Sequence, residues 1–517
     1  MAIDREKMQV LRKRITEGLR IQRDSGDAVP YIDVSNVLGD VSARQNHAIF
    51  ARRGCGKTLL LHNSTKHVDA TVRTVYLNCE DFKRHSFPNV LIEILDALFG
   101  ELEAHLSGWF GKRKKSRELI QGIRKDLQRL RESADTQQSA VRQLSRAEDT
   151  SGRDASASAK GSVLGASIGF SKSRKLFSET ESNYVLHNDK LQELDSWLPR
   201  LKQQVREFFG TSKNVESVFL QIDDLYHLKR SDQPFVMDYI HRLCKDVPLY
   251  FKVATLRHAS SLYVDFENQP IGAQERHDYQ PINIDYTFID FKRTRDQNRA
   301  IFYEFGKAAG IKTADIDGLF KGAGFDRLVM AGGGVPRDTL SLFLEVISVV
   351  TAQGDQKVGK DDVRILSKSN FERRINELKE DADGSEQGVL LRGIYALRTF
   401  CLNKKTNVFL VSEQLLQQED DFRGLVHRLL DYRIIHSAGS ALTHKSQPGT
   451  YQAFAIDLGC YAHLRKLGGR FNELDVSAND FKERLRSAPI FGLADHQEIE
   501  KGAPEDVEES LLAEDAA

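Results

Sequence analysis

The stretch Ala51-Arg52-Arg53-Gly54-Cys55-Gly56-Lys57-Thr58 has the residue types and spacing to hold a phosphate chain. It matches GxxxxGK(S/T), except that Ala51 stands where the first glycine would be. A loop of this kind must curl until successive backbone N–H groups point inward at phosphate oxygens, and Gly54 and Gly56 permit that curl. Arg53, Gly54, Cys55, Gly56, Lys57, Thr58 and Leu59 are therefore the expected phosphate-contacting stretch. Within it, Lys57 supplies a mobile point charge for the β- and γ-phosphates, and the Thr58 hydroxyl is placed to ligate Mg²⁺. The apolar run HAIF before the loop reads as a strand and LLLHNS after it as a helix, whose positive N-terminal end would face the anion.

A second element is Phe219-Leu-Gln-Ile-Asp223-Asp224, an apolar strand ending in two carboxylates. Asp223 is expected to hold Mg²⁺ through water, and Asp224 to orient or deprotonate an attacking water. A third is Gly332-Gly-Gly-Val-Pro336-Arg337. Pro336 suits the first position of a helix. A cation at that end is disfavoured by the helix dipole unless an anion lies near, so Arg337 is a candidate phosphate contact.

These residues need a scaffold. VRTVYLN (72–78), SVFLQI (217–222), LYFKVA (249–254) and INIDYTF (282–288) read as strands, and helical patterns separate most of them. Alternation of this kind predicts a parallel sheet covered on both faces. Between about 111 and 208 the rhythm breaks. Ile120, Ile123, Leu127, Leu130, Ala134, Val141 and Leu144 follow steps of three and four, apart from a missed place at Gln137, as do Leu194, Leu198, Leu201, Val205 and Phe208. The expectation is an inserted coiled-coil arm with a Ser/Gly/Ala-rich tip at 150–173; the alternative is two amphipathic helices lying on the core.

In order, ARRGCGKT, QIDD, VATLRH (253–258) and GGGVPRDTLSLF (332–343) resemble the Walker A, Walker B, sensor 1 and sensor 2 elements of AAA+ ATPases. The GxPR form is similar to the origin-recognition and helicase-loader branch and to the related STAND signalling ATPases. The resemblance implies ATP as the nucleotide and a P-loop ATPase core at 29–110 and 209–290. It also implies a helical lid at 291–382, Thr255 or Arg257 as γ-phosphate sensor, and Arg337 reaching the phosphates from the lid. The usual catalytic glutamate is Asp224 here, which implies slow hydrolysis. Arg276 is the candidate for an arginine finger; if it acts in trans, the working form is a homo-oligomer.

Residues 386–470 read as three helices and a hairpin, the pattern of a winged helix. Arg423, His427 and Arg428 on its third helix, with His444 and Lys445 on the wing, are the candidate contacts to duplex DNA. Basic residues outnumber acidic ones only modestly there, and Glu419, Asp420 and Asp421 at the entry to that helix would repel phosphate. A winged helix used for protein contacts therefore stays an equal alternative.

The remainder bounds the function. Residues 1–28 read as a basic helix with Leu11, Ile15, Leu19 and Ile21 apolar. The stretch 471–517 reads as an extension whose acidic tail, from Asp495, is expected to be disordered. Lys+Arg and Asp+Glu both total 74, so any nucleic-acid affinity must come from local patches. The five cysteines lie too far apart for a zinc motif or a disulfide framework, which fits a reduced, cytoplasmic compartment. No apolar run is long enough to span a bilayer. Two readings follow. One is a DNA-associated AAA+ switch, ATP-binding and slowly hydrolysing. The other is a STAND-like signalling or anti-phage regulator whose arm and winged helix grip protein partners.

Overall fold

The computed structural model describes residues 3–19, 31–106, 112–133, 189–212, 214–266, 269–355, 357–382, 384–462, 464 and 471–512. The chain opens with α1 (Arg5–Gly18) and α2 (Val37–Val41). It continues through β1 (His47–Phe50), α3 (Lys57–His67), β2 (Val72–Asn78) and α4 (Asn89–Ala104). Next come α5 (Lys112–Glu132), α6 (Asp189–Thr211), β3 (Ser217–Asp223), α7 (Gln233–Cys244) and β4 (Leu249–Thr255). A hairpin of β5 (Tyr263–Phe266) and β6 (Gln269–Gly272) precedes β7 (Gln280–Asn283).

β1, β2, β3, β4 and β7 form one parallel sheet in the order β2-β3-β4-β1-β7. β1 and β3 are buried at every position, as strands covered on both faces must be. The order places the end of β1, which feeds the phosphate loop, next to the end of β4 and one strand from the end of β3. This is the P-loop architecture that the motif resemblance implies. β7 ends five residues earlier than the 282–288 strand expected from apolarity. Ile284 still donates to Phe50, but Asp285 turns out to bind Arg52, and Thr287 caps a short 3₁₀ turn at Phe288–Asp290.

The insertion departs from an arm over its described residues. Ile120, Ile123, Leu127, Leu130, Leu194, Leu201, Val205 and Phe208 are all buried, and they belong to the same apolar cluster as the sheet residues Val75 and Leu220. The reason is α4, which buries Val90, Leu91, Ile92, Ile94, Leu95, Leu98, Phe99 and Leu102. An apolar surface that wide needs cover on more than one side, and α5 and α6 supply it. Tyr239 of α7 ties α6 down by donating to the Leu194 carbonyl at 2.7 Å. Ala134, Val141, Leu144 and the tip lie outside the described residues.

Residues 291–381 are helical: α8 (Phe291–Ala308), α9 (Thr313–Asp317), α10 (Gly324–Ala331), α11 (Pro336–Ala352) and α12 (Lys360–Asp381). α1 packs on this bundle through fully buried Leu11 and Ile15. Then come α13 (Gly384–Asn403), β8 (Val408–Ser412), α14 (Glu413–Gln418) and α15 (Asp420–Asp431). The hairpin of β9 (Ile435–Thr443) and β10 (Thr450–Ile456) closes on β8 as an antiparallel sheet. β8 adds a strand to the three helices and hairpin expected over 386–470; Val408–Val411 is a continuous apolar run, buried where it pairs with β10. The chain then forms α16 (Phe481–Leu485), α17 (Leu493–Lys501) and α18 (Val507–Leu512), so the tail is ordered through residue 512. Leu511 is fully buried and Arg398 donates to the Ser510 and Leu511 carbonyls at 2.9 Å, contacts that an acidic composition does not reveal. Among the described residues no helix is long and apolar enough to cross a membrane.

Candidate functional site

Gly54 and Gly56 both take positive φ, at 85° and 90°, a backbone region that L side chains avoid. A Cβ on Gly54 would also meet Arg337 Cβ at 2.7 Å and Val335 Cγ1 at 2.9 Å, so the start of α11 sits directly on the loop. The Arg337 N–H donates to the Gly54 carbonyl at 3.3 Å. Its side chain is exposed, and among the described residues no carboxylate pairs with it. A cation at a helix start beside this loop is where an anion would relieve it.

Lys57 is 5% exposed and turns back over the loop, donating to the Ala51 carbonyl at 3.2 Å. Its Nζ lies 4.0 Å from Asp224 Oδ1. An ammonium held mainly by loop carbonyls can exchange them for phosphate oxygens. Thr58 hydrogen-bonds Asp223, whose other partners are the Tyr76 hydroxyl at 2.7 Å and the Asp224 N–H at 3.0 Å. Burial, then the neighbouring Asp224, pushes the Asp223 carboxyl up, so a divalent cation there would restore its charge. Asp224 itself has φ 52°, in the left-handed region that aspartate tolerates better than most residues, and its carboxylate faces Lys57 at 4.0 Å. The set fits a nucleotide with Mg²⁺. The loop supplies the phosphate cradle, and Thr58 with Asp223 supplies cation ligands. Among the described residues no separate cluster of three or more His, Cys, Asp or Glu could hold a metal.

The sensor candidates divide. Thr255 is fully buried, bonded to the Ser260 hydroxyl, and its carbonyl accepts from Ala51 N–H at 3.3 Å, so it adjoins the loop. Arg257 points away: it pairs with Glu275 at 2.9 Å and lies 4.4 Å over the Phe50 ring. Cys55 is buried, which pushes its thiol up and leaves it inert as a nucleophile, and Leu59 continues α3 half-buried. Arg276 is exposed in the turn before β7, with φ 67°.

Several residues at the site carried no sequence signal. Asp285 takes the Arg52 guanidinium in two bonds, Nε at 2.7 Å and Nη2 at 2.8 Å, and also accepts the Arg52 N–H at 3.1 Å. Burial would raise this carboxyl, but Arg52 holds it below the usual carboxylate range. Arg52 Nη1 then donates to Nδ1 of His436 on β9 at 3.1 Å, and His436 Nε2–H donates to Asp457 at 2.9 Å. Since arginine only donates, these two bonds fix the imidazole as neutral with its proton on Nε2. Asp457 pairs with Arg374, Arg374 with Asp338 at 3.2 Å, and Asp338 with Arg433 at 3.0 Å, all buried. One buried network thus links the phosphate loop, α11, α12 and the C-terminal module. Tyr31 closes the other side, with its ring 3.8 Å from where a Gly56 Cβ would lie.

The DNA-contact candidates are not one free face. His427 stacks on His258, just after β4, at 4.0 Å between centroids. Arg423 pairs with Asp420 at 2.6 Å, Arg428 with Glu386, and Lys445 with Glu483 at 3.0 Å. His444 accepts the Gln447 N–H at 3.1 Å. At the end of α15, Asp431 is 5% exposed, accepts from Ala259 N–H, and leaves Oδ2 without a partner. The third helix of the module therefore docks on the parallel-sheet core.

No family model matches the chain, and no curated protein matches it. Among solved structures, the chain is similar to ORC2 of Aeropyrum pernix, in ADPNP–ADP complexes, at 12% identity and TM-score 0.36, over 93% of this chain and 97% of that one. It is similar to ORC1 of Aeropyrum pernix, in complex with DNA, at 12% identity and TM-score 0.34, over 93% and 98%. Against Cdc6p of Pyrobaculum aerophilum the values are 13% and 0.32, over 89% and 96%. At identities and TM-scores this low, the function is read from the chain's own residues.

Proposed function

We propose that the chain is an ATP-binding, slowly hydrolysing AAA+ switch whose nucleotide state governs its C-terminal module, with duplex DNA as the ligand the module takes. The observation that carries this reading is the contact between loop and module. Arg52, three residues before Cys55 in the phosphate loop, is hydrogen-bonded to His436 of the module. Phosphate entering the loop would bind next to a residue that holds the module in place, so a shift of the loop on binding would be felt at that contact.

The division of labour follows from the residues. The loop amides, Lys57 and Arg337 would bind and orient the phosphates. Mg²⁺ held by Thr58 and Asp223 would neutralise charge on them. Asp224 would take the proton of the attacking water, at the shorter reach of an aspartate. Of the α15 candidates only His427 is held against the core, by stacking on His258, while Arg423 pairs within α15 and Arg428 pairs with Glu386 of α13; DNA engagement through His427 would require the module to move.

A second reading, a STAND-like regulator that binds protein, is supported by one observation: Arg423, Arg428 and Lys445 are each paired with a carboxylate rather than held free for phosphate. Steady-state ATP hydrolysis with and without duplex DNA, at two salt concentrations, separates the two. Stimulation that fades with salt is the result expected of the DNA-coupled switch. Slow turnover indifferent to DNA moves the module's ligand to a protein.

A further inference from the structure

Arg53 belongs to the phosphate loop by its backbone, yet its side chain does something else. The guanidinium pairs with the Asp381 carboxylate and lies 4.8 Å over the Tyr226 ring. Its Nε is buried with no hydrogen-bond partner. Lys57 Nζ lies 5.7 Å from the centroid of that same ring. Two cations thus approach one aromatic ring at the mouth of the loop. Each is compensated by one carboxylate, Arg53 by Asp381 and Lys57 by Asp224, and a phosphate near the ring would offer both cations a shared anion.

Asp381 is the last residue of α12, and α13 begins at Gly384, so the Arg53–Asp381 pair fastens the loop to the joint between lid and C-terminal module. A carboxylate offers that guanidinium one charge. A terminal phosphate offers more charge and three acceptor oxygens in the geometry arginine favours. The terminal phosphate of ADP carries the same groups, but the γ-phosphate that ATP adds would stand one phosphate farther out of the loop, toward the mouth where Arg53 meets Asp381, so the triphosphate is the nucleotide placed to compete with Asp381.

We infer that the Arg53 side chain is a nucleotide-state sensor acting in cis: it holds Asp381 in the absence of a γ-phosphate and exchanges Asp381 for the γ-phosphate of bound ATP, releasing the joint. This rests on the phosphate-loop reading above and adds a residue that tells ATP from ADP. The position of the guanidinium, over the same ring that Lys57 approaches at the mouth of the loop, is the feature a purely structural ion pair does not require.

The test is equilibrium binding of ADP and of a non-hydrolysable ATP analogue, by calorimetry, to the full chain and to its Lys57→Ala, Arg53→Ala, Arg53→Lys and Asp381→Asn variants. Arg53→Ala is expected to weaken the triphosphate about tenfold while changing ADP less than about threefold. Arg53→Lys restores part of the loss. Asp381→Asn, which removes the competitor without touching the loop, strengthens the triphosphate several-fold and leaves ADP unchanged. Equal losses for both nucleotides in Arg53→Ala, with Asp381→Asn indistinguishable from wild type, would overturn the sensor. Undiminished binding in Lys57→Ala would overturn the phosphate-loop reading itself.

Discussion

Arg52 Nη1 donates to Nδ1 of His436 at 3.1 Å, across 384 residues of sequence, and so joins the phosphate loop to a strand of the C-terminal module. His436 also bonds Asp457, so truncating it leaves two charged groups buried with a partner missing. His436→Ala is therefore expected to cost about 1–3 kcal/mol of stability, read from denaturant unfolding. It should also loosen the module, read as faster proteolysis between the lid and α13. Wild-type values for both would remove His436 from the linkage.

The module seam predicts an acid limit. Burial lowers His258 to about 3, with His427 adding to the effect, and lowers His427 and His436 to about 4. Each has an ordinary value of 6.5 when unfolded, so each favours the folded state fully above 6.5 and loses that contribution as pH falls toward 4. Arg257, Arg230 and Arg423 face the stacked pair and sharpen the effect, while Asp285 opposes it at His258. Melting temperature should fall steadily from pH 7 to pH 5, and less so in a His258→Phe/His427→Phe variant. Equal falls would remove the pair from the acid response.

Asp431 works in the opposite direction. Burial raises its carboxyl to about 7 against 3.8 unfolded, and Oδ2 has no partner. Protonation favours the folded state fully below 3.8, and that favour is gone above 7. Asp431→Asn keeps an acceptor for Ala259 N–H and should stabilise the protein by about 1–3 kcal/mol at pH 8, with the gain shrinking toward pH 4. A variant less stable than wild type at pH 8 would contradict this placement.

Much of the phosphate site was legible because the loop imposes its own residues. Gly54 and Gly56 are demanded by backbone conformation, and Asp223 by its place at the end of an apolar strand. Strand positions followed from unbroken apolar runs. Residues recruited by tertiary contact were not legible. Asp285 and His436 each lie in segments that read as ordinary strand ends, and their role exists only where two distant segments meet at Arg52. The seam of Ile120 through Phe208 was read correctly as a period, but a period cannot say whether the apolar face meets a partner helix or α4. The ordered α18 is hidden because its acidic composition outweighs its two buried apolar side chains, Val507 and Leu511.

Asp224→Asn should bind ATP as wild type does while losing most turnover, because the amide cannot take a proton from water. Single-turnover hydrolysis checks it. An unchanged rate would remove Asp224 from the chemistry.

Arg423→Ala/Arg428→Ala should weaken duplex DNA binding and make it less sensitive to salt, each lost phosphate contact lowering the slope by about 1. Fluorescence anisotropy at several salt concentrations measures this. Binding with an unaltered slope would place the DNA contact elsewhere.

The central claim is that nucleotide on the loop controls docking of the module. Amide hydrogen exchange in residues 255–260 and 427–436 tests it most directly, compared between ADP and a non-hydrolysable ATP analogue, with Lys57→Ala as the control. Exchange in both segments is expected to be faster with the triphosphate than with ADP, with no difference in Lys57→Ala. Identical exchange in the two states, with both nucleotides bound to wild type, would contradict it.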